Sequence, residues 1–168
     1  RLVTVRANNT CSRLKLDNAT LLPTKHSSNP TPSLLQTITL TENETKNWAI
    51  IDSGASSHFL TSVAPFDNMQ PTVTPIRAKL PNGDKICTTH TCTLLLDQLP
   101  EKARHAHVLP NLASHSLLSV VNLCNAGCDV TFTKIGCTIT HRGKTIICAH
   151  KCTNTGLWMI PLNNTDVG

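Results

Sequence analysis

The stretch that decides the fold is Trp48-Ala49-Ile50-Ile51-Asp52-Ser53-Gly54-Ala55-Ser56-Ser57-His58-Phe59-Leu60. Its first four residues are apolar and predict a strand that enters a core and stops at the carboxylate of Asp52. Burying a carboxylate is costly unless hydrogen bonds compensate for the lost water. Gly54 lets the backbone turn tightly after that carboxylate. The pattern therefore predicts an Asp held on a tight loop at a strand end, a common position for catalytic groups.

The composition favours one globular domain with tails in a chain of 168 residues. Apolar residues make up 39% and charged residues 15%, which excludes a highly charged disordered protein. Aromatic residues make up only 3%, so modules that stack nucleic-acid bases on aromatic side chains are disfavoured. The net charge of +5 is mild and scattered along the chain, which indicates a solvated surface rather than a nucleic-acid site.

Outward from the Asp loop, short strands separated by turn signals predict an all-β barrel or sandwich. The strongest turn signal is Asn82-Gly83, between residues 76–80 and 85–89. Asn-Gly favours a type I′ turn because both residues tolerate positive φ. We therefore expect a β-hairpin with Asn82 and Gly83 at its tip.

One short α-helix is predicted after residue 113. Ser114 or Ser116 can cap it, and Gly127 is placed to end it. Its apolar stripe has helical period and consists of Leu117, Leu118, Val121 and Cys124.

The two ends of the chain differ from its centre. Residues 1–45 are rich in Thr, Asn, Ser and Pro and predict a largely disordered linker. Residues 46–135 are predicted to form the β-barrel domain, and residues 136–168 to add C-terminal strands. The chain begins with Arg and carries neither a signal-peptide pattern nor an apolar run long enough to cross a bilayer. We expect it to be an excerpt of a longer polypeptide.

Eight cysteines allow three interpretations. Disulfides are the first, although nothing in the sequence marks secretion. A zinc site is the second, because six of the cysteines form close pairs near histidines. The third is a set of reduced thiols that pack as small apolar side chains.

Six sequence motifs together resemble aspartic proteases of the retropepsin type, in the form found in copia-type retrotransposon polyproteins. They span about 110 residues in the same order as in that family. The motifs are Asp52-Ser53-Gly54-Ala55-Ser56-Ser57-His58, the hairpin turn Asn82-Gly83, Val108-Leu109-Pro110-Asn111-Leu112, Leu117-Leu118-Ser119-Val120, Gly127-Cys128-Asp129-Val130-Thr131-Phe132 and Gly156-Leu157-Trp158-Met159-Ile160.

This resemblance implies a closed acid-protease barrel with one short α-helix, and residues 136–168 would then lead toward the pre-integrase region of the polyprotein. It places the catalytic triplet at Asp52, Ser53 and Gly54. The substrate-binding residues that it implies are Ala55 in the loop and Leu80, Asn82 and Gly83 in a hairpin flap.

The resemblance also implies the partners. Each subunit would supply one catalytic Asp, so the active form would be a homodimer that cleaves its own polyprotein. No metal and no organic cofactor would be needed. No membrane is involved, and nucleic acid would be met only through the rest of the polyprotein. The expected location is intracellular, in the cytoplasm and within a virus-like particle.

Other interpretations of the same residues stay open. Asp52 can be a structural turn residue in a catalytically silent β-barrel relic or assembly module. The Cys and His pairs can form a zinc-binding module. Ser57 with His58 suggests a nucleophile and base, but adjacent strand residues point to opposite faces, which disfavours that pairing.

Overall fold

The computed structural model describes residues 39–40, 44–80, 83–112 and 115–163. In these ranges the chain is mostly β-strand, which confirms the all-β prediction, and it contains one short α-helix. The elements in chain order are β1 (Trp48–Asp52), β2 (Phe59–Leu60), β3 (Asp67–Pro71), β4 (Arg77–Lys79), β5 (Lys85–Cys87), β6 (His90–Thr93), β7 (His105–Val108), β8 (Ser116–Ser119), α1 (Val120–Asn125), β9 (Cys128–Phe132), β10 (Gly136–His141), β11 (Lys144–Lys151) and β12 (Trp158–Pro161), with 3-10 helices at Glu44–Asn47 and Glu101–Ala103.

Ten of the strands form one sheet in the order β3-β6-β7-β2-β8-β1-β12-β11-β10-β9. Strand β1 lies inside the sheet, parallel to β8 and antiparallel to β12. Strand β8 also pairs with β2, so it lies between the two strands that enter and leave the Asp loop. Over the described ranges this order has two ends, β3 and β9, and no closed barrel is found.

Strand β1 forms because its apolar residues alternate between the core and a half-buried face. Ala49 and Ile51 are 0% and 5% exposed, whereas the residues on either side of them are half-buried. Side chains of successive strand residues point to opposite faces, so this pattern fixes which face of β1 meets the core. Asp52 ends the strand on the half-buried face.

The predicted helix begins later than expected. Leu117 and Leu118 belong to β8, and α1 starts only after Ser119, which caps it by accepting a hydrogen bond from the backbone N–H of Asn122. Of the two expected caps, Ser116 is instead the first residue of β8, and Ser114 lies outside the described residues. Pairing with β1 and β2 on both sides outweighs the helical period of this stretch, because tertiary contacts override a weak local preference. Gly127 does follow the end of the helix, with φ of +85°.

The predicted hairpin is present as the separate two-stranded sheet β4–β5. Its turn differs from the type I′ prediction: the carbonyl of Leu80 accepts from the N–H of Gly83 at 2.9 Å, which makes Gly83 the fourth residue of the turn. Gly83 has φ of +93°. A longer loop that ends with a left-handed Gly is the next most common hairpin connection. The type I′ pattern occurs instead at Arg142 and Gly143, whose φ angles are +52° and +75°.

The C-terminal strands are part of the main sheet. Strand β12 pairs with β1 over three residues, and β10 and β11 continue the sheet beyond it. The predicted boundary at residue 135 does not interrupt the sheet. The predicted linker, residues 1–45, lies almost entirely outside the described residues.

Candidate functional site

Asp52 lies where the sequence places it, at the carboxyl end of β1. It is half-buried, and its Oδ1 accepts a hydrogen bond from the backbone N–H of Gly54 at 2.7 Å. Ser53 and Gly54 are exposed, whereas Ala55 is 7% exposed. The four predicted loop residues thus present a fixed carboxylate beside an exposed turn.

Gly54 is constrained by the carboxylate that precedes it. A Cβ atom at this position would lie 3.3 Å from Asp52 Oδ1, which is closer than ordinary van der Waals contact. A side chain here would push against the oxygen that accepts the Gly54 N–H. Glycine at position 54 therefore preserves the position of the carboxylate, as expected where a backbone passes close to a functional group.

Ser119 connects the Asp loop to β8 and α1 by hydrogen bonds. It pairs with Asp52 in the parallel register of β1 and β8 and is fully buried. Its hydroxyl donates to the carbonyl of Ala55 at 2.6 Å and accepts from Asn122 N–H at 3.2 Å. One side chain therefore ties the loop to the first turn of α1, and the buried carbonyl of Ala55 is satisfied.

His58, at the C-terminal end of the loop, connects it to Ser119 and Ala103 by hydrogen bonds. It is 0% exposed, and its Nδ1 accepts from the backbone N–H of Ser119 at 2.8 Å. Because a backbone amide can only donate, Nδ1 carries no proton, so Nε2 carries it and donates to the carbonyl of Ala103 at 3.0 Å. Both ring nitrogens are therefore used by backbone groups, and His58 is not free to act as a base for Ser57.

Burial keeps the imidazole of His58 neutral. Loss of hydration lowers its pKa to about 4, the hydrogen bond to Ala103 opposes this shift, and the nearby His105 and His107 lower the pKa further. The pKa of His107 is also lowered, mainly by burial.

The predicted flap residues lie in the β4–β5 hairpin. Leu80 is half-buried, Gly83 is exposed, and Asn82 lies outside the described residues. Hydrogen bonds from Leu80 N–H to Asp84 and from Gly83 N–H to Leu80 hold the tip. The structure thus brings Asp52 to Ala55 together in one loop and places Leu80 and Gly83 on a separate hairpin.

The cysteines are free thiols in the part of the chain that the structure describes. Four of them, Cys92, Cys128, Cys137 and Cys152, are buried, as expected for thiols that pack as small apolar side chains. Within the same ranges no three His, Cys, Asp or Glu side chains are grouped so that they could hold a metal ion. Nor does any described helix have the length and apolar character needed to span a membrane.

Sequence reasoning missed Ser119 and the role of His58. The predicted helix includes Ser119 as an ordinary helical residue, although the spacing from Ser119 to Asn122 is that of a cap and the third residue after it. The bonds of His58 join residues 45 and 61 positions away, and no local pattern predicts contacts of that kind.

Comparison with known proteins finds no relative: no protein-family model, no curated protein and no solved structure matches this chain.

Proposed function

We propose that this chain is one subunit of an aspartic endopeptidase that works as a homodimer and cleaves its own polyprotein. Asp52 is the catalytic residue in each subunit, and Ser53 and Gly54 shape the loop that carries it. The fold under this proposal is a retropepsin-like acid-protease barrel, and the enzyme acts in the cytoplasm, inside a virus-like particle.

The observation that carries the proposal is the way Asp52 is held. Asp52 is half-buried at a strand end, its Oδ1 accepts from the Gly54 N–H, and the loop that follows is connected to two fully buried side chains, Ser119 and His58. Buried polar groups of this kind stabilise a structure only when all of them are satisfied. Such bracing gives the carboxylate the fixed geometry that catalysis requires.

The chemistry follows from bringing two such carboxylates together. Two carboxylates in contact cannot both ionise, so the pair shares one proton. The charged Asp52 acts as general base on a water molecule, and the protonated Asp52 of the second subunit polarises the scissile carbonyl. In each subunit Oδ1 is engaged by Gly54. We assign the second oxygen to the water and to the partner carboxylate.

The requirement for a homodimer is a matter of counting. The chain contains a single Asp-Ser-Gly sequence, at Asp52. The dyad needs two, so a second copy must supply the other across a two-fold axis. The β4–β5 hairpin then acts as a flap that pairs with the extended peptide, while Ala55, Leu80, Asn82 and Gly83 contact the substrate.

A second candidate is a non-catalytic module with the same fold. It is favoured by the Gly54 to Asp52 hydrogen bond itself, since an Asp side chain that accepts from a backbone N–H two residues on also stabilises an ordinary turn. In this case Asp52 shapes the loop and does no chemistry.

Substitution of Asp52 separates the two candidates. Asn keeps the shape of Asp and an oxygen that can accept from Gly54, but it removes the shared proton. Asp129→Asn is the matched control, because Asp129 is exposed on β9. The purified chain is incubated with a peptide mixture between pH 4 and 6, with and without a statine-type inhibitor, and products are identified by mass spectrometry.

The endopeptidase proposal predicts inhibitor-sensitive cleavage by the parent and Asp129→Asn, and none by Asp52→Asn. The melting temperatures of all three proteins should agree. Cleavage by Asp52→Asn at the parent rate would exclude Asp52 as the catalytic residue. Absence of cleavage by a folded, dimeric parent would favour the non-catalytic module.

A further inference from the structure

Two independent contacts of the Asp loop meet at one residue. The loop carbonyl of Ala55 accepts from the Ser119 hydroxyl, and the ring of His58 accepts from the Ser119 backbone N–H. Ser119 in turn lies opposite Asp52 in the β1–β8 register. The far end of the loop is therefore fastened to the same strand position that pairs with the candidate catalytic residue.

His58 also reaches a third element. Its Nε2 donates to the carbonyl of Ala103, at the end of the 3-10 helix Glu101–Ala103, and its own carbonyl accepts from His107 N–H at 2.9 Å. One buried ring thus connects the loop, the β8–α1 junction and the 3-10 helix. Each connection uses a different atom of His58.

We propose that His58 is a positioning residue for Asp52, and that its neutral Nε2–H form locks the Asp loop onto Ser119. This inference rests on the proposed function for its catalytic consequence. The lock itself is a property of the loop and can be measured without catalysis.

The lock depends on an unprotonated Nδ1. A proton there removes the only lone pair that can accept from Ser119 N–H and sets two N–H groups against each other. It also places a positive charge in the core, where the described residues show no ion pair to His58. Protonation of His58 therefore releases the loop from Ser119.

Among the groups around His58, the two histidines of β7 oppose that protonation. Strand β7 contributes His105 and His107, which repel a positive charge. The 3-10 helix contributes the exposed Glu101 and Lys102, followed by Arg104, which is paired with Asp97 at 2.7 Å. The β8–α1 stretch contributes no ionisable residue between Ser116 and Leu123.

Two substitutions of His58 each keep the hydrogen bond of one ring nitrogen and remove the other. In His58→Asn the side-chain oxygen takes the place of Nδ1 and still accepts from Ser119, but the contact with Ala103 is lost. In His58→Gln the amide nitrogen takes the place of Nε2 and still donates to Ala103, but the contact with Ser119 is lost. Asn is the smaller residue, so it leaves the larger cavity and should be the less stable variant. His90→Asn, on β6, is the control.

If His58 positions Asp52, the less stable variant, His58→Asn, should be the more active of the two. His58→Gln should lower kcat roughly tenfold and leave KM unchanged, because a single lost hydrogen bond of about 1.4 kcal/mol corresponds to that factor. His58→Asn should stay within about threefold of the parent despite its lower melting temperature. Both should lack the acid-side fall in activity that titration of His58 produces in the parent. A purely structural role would make activity follow stability, with His58→Asn the weaker enzyme, and that result would overturn the proposal.

A measurement without substrate keeps this test separate from the proposed function. In ¹⁵N NMR spectra the parent should show His58 protonated at Nε2 alone near neutral pH. Amide exchange of Gly54 should accelerate in His58→Gln and stay at the parent rate in His58→Asn. This pattern in a chain without peptidase activity would support the lock and reject the enzyme. Equal exchange in both variants would reject the lock even if the parent cleaves peptides.

Discussion

The Asp loop and the β4–β5 hairpin are both tight turns with a glycine, yet they are held in different ways. The loop is fastened by the fully buried side chains of Ser119 and His58. The hairpin forms a two-stranded sheet of its own, with exposed or half-buried residues and hydrogen bonds within its own tip. An isolated two-stranded hairpin is marginally stable in water. The comparison indicates that the Asp loop is tied to the core of the main sheet, whereas the hairpin is held mainly by hydrogen bonds of its own.

The largest expected difference between the two regions is in how acid changes their contribution to the free energy of unfolding. The pKa of His58 is lowered from 6.5 to about 4 in the folded protein. Its contribution to stability is complete above pH 6.5 and is lost as the pH falls toward 4, because the unfolded chain then binds the proton more readily. The total loss is about 3.5 kcal/mol, taking about 1.4 kcal/mol for each pKa unit.

Urea unfolding of the parent and His58→Gln at pH 7, 5.5 and 4 measures this effect. The free energy of unfolding should fall more steeply for the parent, since Gln does not titrate. The half-buried histidines His107 and His115, whose pKa values burial also lowers, act equally in both proteins and cancel in the difference. Parallel pH dependences for the two proteins would show that His58 is not buried as a neutral residue.

Loss of the Ser119 hydroxyl should destabilise the loop side by about 2 kcal/mol. Ser119→Ala removes a helix cap, for about 1 kcal/mol, and leaves the buried Ala55 carbonyl unsatisfied, for about 1 kcal/mol more. Ser56→Ala, at an exposed position in the same loop, should change stability by less than about 0.5 kcal/mol. Denaturant titration of both variants checks the difference. If Ser119→Ala loses as little stability as the control, Ser119 does not stabilise the loop.

In the hairpin, Gly83→Val should weaken substrate binding more than it lowers the stability of the fold. A Cβ at φ of +93° costs roughly 1–2 kcal/mol of backbone strain, although no neighbouring atom lies within 4 Å. Because β4–β5 is a separate sheet, the strain can be relieved by local opening, so global stability should fall little. We expect KM to rise roughly fivefold, the counterpart of about 1 kcal/mol of lost binding.

Gly143→Val is the matched control for the hairpin. Gly143 has φ of +75° and equally open surroundings, but its turn joins β10 and β11 of the main sheet. This variant should lose more stability than Gly83→Val and keep the parent KM. Steady-state kinetics with thermal melting distinguishes the two. An equal rise in KM for both variants would deny the hairpin any special part in binding.

The sequence was sufficient to predict the features that depend on a few adjacent residues. Asp52 at the end of an apolar strand, the hairpin over residues 76–89 and Gly127 behind the helix are each specified by a few adjacent residues, and the structure has all three. These features follow from strand alternation and from the positive φ that glycine accepts.

The remaining features depend on contacts that are distant in the chain. Leu117 and Leu118 fit a helix by period, but pairing with β1 and β2 makes them a strand and moves the cap to Ser119. The hydrogen bonds of His58 cannot be predicted for the same reason, since its partners Ala103 and Ser119 belong to a 3-10 helix and a strand far along the chain. The closed barrel and the homodimer stay predictions.

The most direct test of the central claim, that two copies of Asp52 form one catalytic site, is a subunit-mixing experiment. The parent chain is mixed with a ninefold excess of Asp52→Asn, allowed to exchange subunits, and assayed for peptide cleavage, with an unrelated protein at equal concentration as control. Random pairing leaves each parent subunit a parent partner about one time in ten, so activity per parent subunit should fall roughly tenfold. Undiminished activity, in a mixture shown by mass to contain mixed dimers, would contradict the shared site.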